Sequence, residues 1–151
     1  MLKLIYRMKE LDFSQFLEVC KESVSENDPG ASQLFDYIHL MFCNGGACAV
    51  WIHEGVYVSA LRLELYRDGY LITGLETAQG QRGKGFATKL ITGVAIELTA
   101  QNTKALYAHV KRSNRASLRV HDKCGFITIL DHAVFLDGSV DTRSVTLQKM
   151  L

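Results

Sequence analysis

The sequence predicts a mixed α/β domain in which antiparallel hairpins flank one strand–turn–helix–strand unit. Three observations predict it: apolar runs separated by short glycine turns, a glycine-rich turn that leads into an amphipathic helix, and a chain about one domain long. Of its 151 residues 48% are hydrophobic and 22% charged, and one is proline. Such a composition is typical of a compact protein and excludes intrinsic disorder. We therefore expect residues 1–151 to form a single domain.

The first half of the chain is expected to supply one short strand, two helices and three longer strands. Residues 2–7 alternate as a strand, and Asp12 can cap a helix that runs to about Ser25, where "ENDPG" ends it. A second helix over 31–42 should bury Leu34, Ile38 and Met41 or Phe42. Strands are then predicted over 47–53, 56–66 and 70–77, and the "EG" and "RDG" turns between them suit antiparallel hairpins.

The second half is expected to continue as helix, strand, helix and two strands. The first helix carries one apolar stripe, made by Ala87, Leu90, Ile91, Val94, Ala95 and Leu98. A strand over 104–111 follows, and Asn114 can cap a further helix that runs to about Lys123, where "CGF" ends it. Strands over 126–135 and 143–149 close the chain.

The charge balance limits the partners that the protein can have. A net charge of +1 provides no broad electrostatic footprint for a nucleic acid, so any basic binding site must be local. In the N-terminal segment "MLKLIYRMKELDF", charges interrupt the apolar residues before a signal-peptide core or a membrane span could form. We therefore expect a cytoplasmic protein with no nucleic-acid or membrane partner.

The four cysteines indicate neither a metal site nor a disulfide framework. Cys20, Cys43, Cys48 and Cys124 include no C-x-x-C pair and no histidine at zinc-finger spacing, so we expect no metal. Buried free thiols are the expected state in a chain with no secretion signal. A disulfide between Cys43 and Cys48 across "NGGA" is the alternative.

The stretch "LETAQGQRGKGFATKL" at residues 75–90 combines three glycines with three cationic side chains. A strand that leads through glycines into a helix leaves backbone N–H groups without helical partners, and the helix dipole adds partial positive charge there. Phosphate suits such a place, with Arg82 and Lys84 at its rim. The turn lacks the Gly-Lys-Ser/Thr ending of a P-loop, and Thr88 stands where a dinucleotide fold has a glycine or alanine. Neither an NTPase nor a Rossmann enzyme is therefore indicated.

The run from Arg82 to Ala87, "RGKGFA", resembles the loop that binds the pyrophosphate of acyl-CoA in the GNAT superfamily of N-acetyltransferases. It fits that family's Gln/Arg-x-x-Gly-x-Gly/Ala pattern at each defined position, between a strand and an amphipathic helix. The segment "SNRASLRVHDKCGF" is similar to the family's second CoA segment, with an asparagine, a small residue three later, and Gly-Phe at the end of the helix. The resemblance covers about residues 47–150, whereas the first 45 residues match only in the order of their secondary structure.

The resemblance implies a twisted mixed sheet of about seven strands with flanking helices, whose central parallel strands, here about 70–77 and 104–111, splay apart to hold CoA. Acetyl-CoA is thus the implied cofactor. Its pantetheine arm would form backbone hydrogen bonds with the strand end at Leu75, Glu76 and Thr77. Its diphosphate would bind the turn, and the second segment would face the rest of the molecule. The implied contacts of these two regions are Arg82, Gly83, Lys84, Gly85, Phe86, Ala87 and Thr88, and Asn114, Ser117 and His121.

The implied reaction, acyl transfer to an amine, needs a base for the ammonium and benefits from an acid for the leaving thiolate. Relatives often carry a tyrosine seven residues after the asparagine, where this chain has His121, so His121 is the candidate proton donor. His109 and Glu76 are candidate bases, and water-relayed deprotonation would need neither. On the strand "ALRLELY", Arg62 and Glu64 share one face and could bind a substrate's carboxylate and amine.

The function that we expect is transfer of an acetyl group from acetyl-CoA to a primary amine of a small molecule, by direct attack in a ternary complex. Two alternatives stay open: a protein N-terminal or lysine acetyltransferase, and a catalytically silent acyl-CoA-binding module. The near-neutral charge favours a small substrate over histone-like targets. The C-terminal strand "SVTLQKML" could pair across a homodimer.

Overall fold

A computed structural model of the protein describes residues 1–24 and 30–151. Its helices are α1 (Phe13–Val24), α2 (Gly30–Cys43), α3 (Phe86–Ala100) and α4 (Arg115–Lys123). Its strands are β1 (Leu2–Ile5), β2 (Ala47–His53), β3 (Val56–Tyr66), β4 (Gly69–Thr77), β5 (Ala105–Lys111), β6 (Ile127–Leu130), β7 (Ala133–Val134), β8 (Val140–Asp141) and β9 (Ser144–Met150). The predicted end of the first helix at Ser25, and all but the last residue of "ENDPG", lie outside the described residues.

Seven strands form one sheet in the order β1-β2-β3-β4-β5-β9-β6. Strands β4 and β5 are the one parallel pair of this sheet in the described structure, and its other neighbours are antiparallel. Helix α3 connects the two parallel strands, because a parallel pair needs a crossover rather than a tight turn. The predicted mixed α/β fold, with antiparallel hairpins and a central strand–turn–helix–strand unit, is confirmed.

Each face of the sheet carries its own hydrophobic core. Helices α3 and α4 pack on one face, and the buried stripe of α3 consists of Phe86, Leu90, Ile91, Val94, Ala95 and Leu98. The stripe starts one residue earlier than predicted, because Phe86 is buried while Ala87 is half-buried. Helices α1 and α2 cover the β1–β3 half of the other face, through Phe16, Ile38 and Met41. The candidate functional site opens on the remaining half of that face.

Side-chain caps begin α1 and α4 as the sequence predicts. Asp12 Oδ1 accepts a hydrogen bond from the Gln15 N–H at 3.1 Å, and Asn114 Oδ1 accepts one from the Ser117 N–H at 3.1 Å. Such caps satisfy N–H groups that the first helical turn cannot pair internally. Asn114 thereby fixes where α4 begins, and with it the helix face that carries Ser117 and His121.

The parallel strands separate after three register positions. Residues 70–72 of β4 pair with residues 106–108 of β5, and beyond them the described strands run on without pairing to each other. A β-bulge accompanies the separation, because Leu61 of β3 lies opposite both Gly74 and Leu75 of β4. Gly74 has φ +59°, a conformation that favours glycine. The splay that the resemblance implies is therefore confirmed, and it leaves a wedge between the strand ends.

The structure corrects the predicted strand over 126–135. Strand β6 ends at Leu130, and β7 instead forms a separate two-stranded hairpin with β8. The strand breaks at Asp131 and His132, where the Thr146 hydroxyl donates a hydrogen bond to the His132 carbonyl at 2.7 Å. Beyond this break, the Asp137-Gly138 turn pairs β7 with β8, because Gly138 has φ +86° and Asp137 Oδ1 accepts a hydrogen bond from the Ser139 N–H at 2.8 Å.

Two expectations about the C-terminal strand and the cysteines are also corrected. Strand β9 lies inside the sheet with β5 on one side and β6 on the other, so both of its edges are already paired. The predicted pairing of "SVTLQKML" across a homodimer is therefore wrong. Cys43 and Cys48 are both free thiols within the described chain, and Cys43 is exposed rather than buried.

Candidate active site

A cavity of about 810 Å³ lies in the wedge between β4 and β5. Its walls come from both faces of the sheet. Asn114, Ser117 and His121 approach it from the α4 side. Tyr37 of α2 and Glu64 of β3 approach it from the α2 side. The volume is typical of a ligand pocket, and the wedge can receive one reactant from each face.

His121 lines this cavity and is buried at 2% exposure. Its Nδ1 lies 2.8 Å from the Ser117 carbonyl oxygen, which can only accept, so Nδ1 carries the proton in the neutral ring. Nε2 is covered and has no hydrogen-bond partner among residues 1–24 and 30–151. Burial lowers the pKa of His121, although the bond to Ser117 opposes this shift. The ring is therefore a neutral imidazole with its acceptor at Nε2.

Glu64 is the fixed carboxylate of the opposite wall. Its Oε1 accepts a hydrogen bond from the Tyr37 hydroxyl at 2.5 Å, and its Oε2 accepts one from the Thr73 hydroxyl at 2.9 Å. Burial and the bond to Glu64 raise the pKa of Tyr37 to about 12, so this hydroxyl stays a donor. Each carboxylate oxygen keeps a further lone pair. Glu64 can therefore bind an ammonium group while its two donors hold it in place.

Arg62 shares the strand face of Glu64 but lies behind the cavity wall. Its guanidinium carbon is 5.3 Å from the centre of the Tyr37 ring. A Cβ placed on Gly74 would lie 2.7 Å from the same carbon, so the absence of a side chain at position 74 makes room for the guanidinium. Arg62 Nε is buried and has no hydrogen-bond partner in the described part of the chain. The structure thus brings Glu64, and not Arg62, to the cavity.

His109 lines the cavity just beyond the last position at which β5 pairs with β4. Its ring lies edge-to-face between the rings of Tyr66 and Phe135, with centroids 5.4 and 5.1 Å away. Both ring nitrogens are buried without a hydrogen-bond partner in the residues that the structure describes. Burial and the charge of Arg67 lower the pKa of His109, against the opposing charge of Asp141. His109 is therefore a neutral, aromatic-enclosed imidazole.

Glu76 turns its carboxylate toward α1, where the Ser23 hydroxyl donates a hydrogen bond to it. Burial raises the pKa of this carboxyl. The backbone carbonyl oxygen of Glu76 accepts a hydrogen bond from the Ser59 hydroxyl at 2.9 Å. The Thr77 hydroxyl lies 3.0 Å from the same Ser59 hydroxyl. Leu75, by contrast, lines the cavity. The end of β4 therefore offers the wedge its backbone and the Leu75 side chain, while Glu76 faces away.

The glycine-rich turn is open on its outer side. Gly83 and Gly85 have φ +76° and +82°, and a Cβ built on either would meet nothing within 4 Å in the described structure. Gly85 is the N-cap of α3, and the Lys89 N–H donates to the Gly85 carbonyl at 3.0 Å. The N–H groups of the turn before Lys89 point out of the helix end, where the dipole favours an anion. The geometry suits a phosphate that approaches the backbone closely.

Arg82 and Lys84 are exposed at the rim of this turn. Arg82 forms an ion pair with Glu22 of α1 at 2.6 Å, and its Nε donates to the Thr77 carbonyl at 3.1 Å. Lys84 Nζ donates to Gln81 at 3.1 Å. Exposed ion pairs contribute little to stability, so Arg82 can exchange its carboxylate partner for a phosphate at small cost.

The side chains at the start of α3 contribute less than their backbone. Phe86 is buried against His53, with ring centroids 4.9 Å apart, so its side chain belongs to the core. Ala87 and Thr88 are half-buried in the first turn of the helix. The predicted contacts at these three positions therefore depend on N–H groups.

Among the residues of the cavity wall that sequence patterns did not identify are Tyr37, Thr73, Phe135 and Leu136. Thr73 carries a weak signal, because it stands two residues from Leu75 on the predicted strand and so shares its face. Treating "LDGS" as a hairpin turn would have placed Phe135 and Leu136 at a loop. Nothing local predicts that Tyr37 meets Glu64, since that contact depends on how α2 crosses the sheet.

The ionisable groups of the cavity wall differ in their exposure to solvent. Glu64 and the two histidines, His109 and His121, are at least half-buried, whereas Lys111 and Asp137 are exposed and carry opposite charges. In the described part of the chain no three His, Cys, Asp or Glu side chains are grouped to hold a metal ion. Nor does any described helix combine the length and apolar character needed to cross a membrane.

Comparisons with known proteins agree with this architecture. The model of the acetyltransferase (GNAT) family matches residues 5–126. No curated protein matches the sequence significantly. A solved ribosomal-protein-alanine N-acetyltransferase from Brucella melitensis is 19% identical, and the alignment covers 100% of this chain and 99% of that chain at a TM-score of 0.75.

Two further solved structures have the same fold at similar identity. A phosphinothricin acetyltransferase from Sinorhizobium meliloti, in complex with AcCoA, is 18% identical over 99% of this chain and 88% of that chain, with a TM-score of 0.73. An IAA acetyltransferase from Bacillus cereus is 17% identical over 100% of this chain and 99% of that chain, with a TM-score of 0.70. At such identities the likeness concerns the fold alone.

Proposed function

This chain belongs to the acetyltransferase (GNAT) family, and we propose that it transfers the acetyl group of acetyl-CoA directly to a primary amine of a small molecule. Both reactants would bind in the wedge between β4 and β5. The observation that carries the proposal is the cavity with walls from both faces, in which His121 lies on one side and Glu64 on the other. A module that only bound acyl-CoA would have no use for a carboxylate held by two donors on the opposite wall.

Acetyl-CoA, when bound, supplies an acetyl group activated as a thioester. The residues present fit such a molecule at two places. Gly83 and Gly85 leave open space at the start of α3 for the diphosphate, with Arg82 and Lys84 beside it. Beyond Ile72, β5 leaves one edge of β4 uncovered in the described structure, and an extended pantetheine arm can add to such an edge by backbone hydrogen bonds.

The residues of the two walls divide the proton chemistry between them. Glu64 would pair with the incoming ammonium and orient it. His109, neutral because burial lowers its pKa, is the candidate base on that wall, and water-relayed deprotonation would need no base. Glu76 could act only from beneath α1, since its carboxylate is bound to Ser23.

His121 would accept at Nε2 a proton that the amine releases as its bond to the acetyl carbon forms, while the C–S bond of the thioester would break and the CoA thiolate would take its proton from water. The Ser117 carbonyl fixes the proton of the neutral ring on Nδ1 and leaves the lone pair on Nε2. Donation from Nε2 would require a protonated ring, which the lowered pKa disfavours at neutral pH. Contrary to the donor role that the resemblance implies, we therefore propose that His121 acts as an acceptor.

The test is an assay of thiol release from acetyl-CoA with a panel of primary amines, confirmed by mass spectrometry of the acetylated product. We expect release that depends on the amine and exceeds hydrolysis without it. Acetylation restricted to peptide amino-termini or lysines would instead support the protein-directed alternative. Calorimetric binding of acetyl-CoA with no turnover of any amine would identify a silent acyl-CoA-binding module and overturn the proposal.

A further inference from the structure

On the basis of the proposed function, we infer that the acceptor is an amine with an apolar body, an arylalkyl amine or a long alkyl amine, rather than an amino acid, a sugar or a peptide. One juxtaposition carries this inference. Exposed apolar side chains from α2 and from the β7–β8 connection line the same cavity as the carboxylate of Glu64.

The apolar collar consists of three side chains that line the cavity and still face solvent. Tyr37 is 45% exposed, Phe135 41% and Leu136 72%. Single exposed apolar residues are ordinary, but several that line one cavity mark a ligand-binding surface. The three come from α2 and the β7–β8 connection, so no single amphipathic segment accounts for them. The collar is therefore a property of the assembled site.

The negative charge of Glu64 beside the collar favours a cationic ligand. Glu64 is half-buried and held through both oxygens by Tyr37 and Thr73, whereas the oppositely charged Lys111 and Asp137 are exposed at the rim. The guanidinium of Arg62 packs against Gly74 behind the wall. An ammonium group would thus pair with Glu64, while the carboxylate of an amino acid would meet the same negative charge or the apolar collar.

The aromatic members of the collar are held in place before a ligand arrives. Tyr37 is fixed by its hydrogen bond to Glu64 and by the Arg62 guanidinium over its ring. Phe135 packs edge-to-face on His109, with centroids 5.1 Å apart. Rigid apolar walls lower the entropic cost of binding an apolar body. The hydroxyls of Tyr37 and Thr73 are already engaged with Glu64, so a sugar would gain little by hydrogen bonding there.

The test compares kcat/KM for 2-phenylethylamine and hexylamine with that for ethanolamine, glucosamine, phenylalanine and an alanine-initiated peptide. We expect the two apolar amines to exceed every polar one by about tenfold or more, the scale on which an apolar pocket discriminates. Leu136→Ser should reduce this ratio several-fold, mainly through KM. Ile127→Ser is the matched control, because Ile127 is 62% exposed on β6 and lies outside the cavity wall.

Each other outcome has a distinct meaning. A higher kcat/KM for phenylalanine, glucosamine or the peptide would overturn this inference and leave acetyl transfer to amines intact. No acetylation of any amine by a protein that binds acetyl-CoA would overturn the proposed function itself. Gel filtration of wild type and Leu136→Ser gives the third arm: a dimer that dissociates in the variant would assign the collar to a second copy of the chain and overturn the inference.

Discussion

His121 occupies the helix position at which relatives often carry a tyrosine, but its surroundings are those of a proton acceptor. The Ser117 carbonyl binds the Nδ1 proton at 2.8 Å, and burial lowers the pKa of the ring. In this tautomer a neutral imidazole accepts at Nε2 and cannot donate from it. A phenol at the same position would stay protonated to a pH near 10 and serve the opposite purpose. A histidine in place of the tyrosine therefore makes the α4 side of the cavity a candidate source of the base.

We predict that His121→Ala lowers kcat by roughly 10²–10⁴-fold, the usual range for general acid–base catalysis, while acetyl-CoA affinity stays nearly constant. In the wild type, kcat should rise with pH through the pKa of His121, which lies below its ordinary value of 6.5, because the ring must be neutral to accept. Steady-state rates across pH, with calorimetric titration of acetyl-CoA, measure both effects.

Arg119→Ala, an exposed change on the same helix, controls for a general loss of α4 stability. If kcat instead falls as pH rises, and His121→Gln removes that fall, His121 is the proton donor. An alanine variant with wild-type kcat and pH profile would leave His121 as a packing residue beside Phe126, whose ring centroid is 5.0 Å away.

Glu64→Gln tests the acceptor wall by removing the negative charge with little change in shape. We expect KM for the amine to rise roughly tenfold or more, the cost of losing a charged hydrogen bond, with acetyl-CoA affinity unchanged. The proposed cofactor contacts lie at the start of α3 and along β4, so KM for the amine and the affinity for acetyl-CoA should change independently. Glu97→Gln, an exposed change on α3, is the control, and wild-type kinetics of Glu64→Gln would remove Glu64 from the substrate site.

Among the elements, the turn into α3 makes the strongest prediction about the cofactor. Gly85→Glu should abolish acetyl-CoA binding in a folded protein, because it places bulk and negative charge where the backbone is open to a diphosphate. A non-glycine residue at φ +82° costs about 1–2 kcal/mol, which a domain of this size survives. Calorimetry and circular dichroism measure binding and folding.

Gly55→Glu supplies the matched control for this turn. Gly55 has φ +79° and open space around its Cβ position in the described structure, but it lies in the β2–β3 hairpin. The two variants therefore share the backbone strain and the added charge. If Gly85→Glu keeps wild-type affinity, or if Gly55→Glu loses as much, the diphosphate does not bind at the start of α3.

The secondary-structure elements also show which features of the fold the sequence patterns could predict. Caps and stripes are local, so the start of α4 at Asn114 and the buried stripe of α3 were predictable from spacing alone. The bulge at Gly74 was signalled only by a glycine inside a strand, and it was not predicted. The contact between Tyr37 and Glu64 joins residues 27 apart, and no local pattern encodes it. The starts of α3 and α4 were therefore predictable, and so were Glu64 and His109 as residues of the cavity, whereas the contact that fixes Glu64 was not.

At the scale of the whole molecule, the wedge interrupts an otherwise continuous sheet and gathers titratable groups inside it. His109 and His121 are both neutral at pH 7 because burial lowers their pKa values. Glu76, beside the wedge, has its pKa raised by burial. Because the folded state shifts the pKa values of these three groups, the free energy of unfolding depends on pH.

We predict that the free energy of unfolding falls as pH drops below 6.5, the ordinary value for both histidines. Between that value and their lower folded values the unfolded chain binds more protons, so stability rises with pH across this window. Glu76 acts in the opposite sense above its ordinary value of 4.5, because the folded state holds its proton more tightly.

The measurement is urea unfolding from about pH 5 to 7.5, the range in which these groups titrate. The double variant His109→Gln with His121→Gln should flatten the pH dependence, since neither amide ionises. Glu76→Gln should steepen it, because it removes the opposing contribution while both histidines remain. His132→Gln is the control, since His132 is paired with the exposed carboxylate of Asp131 at 2.7 Å and lies outside the cavity wall. A double variant with the wild-type slope would contradict burial of two neutral histidines in the wedge.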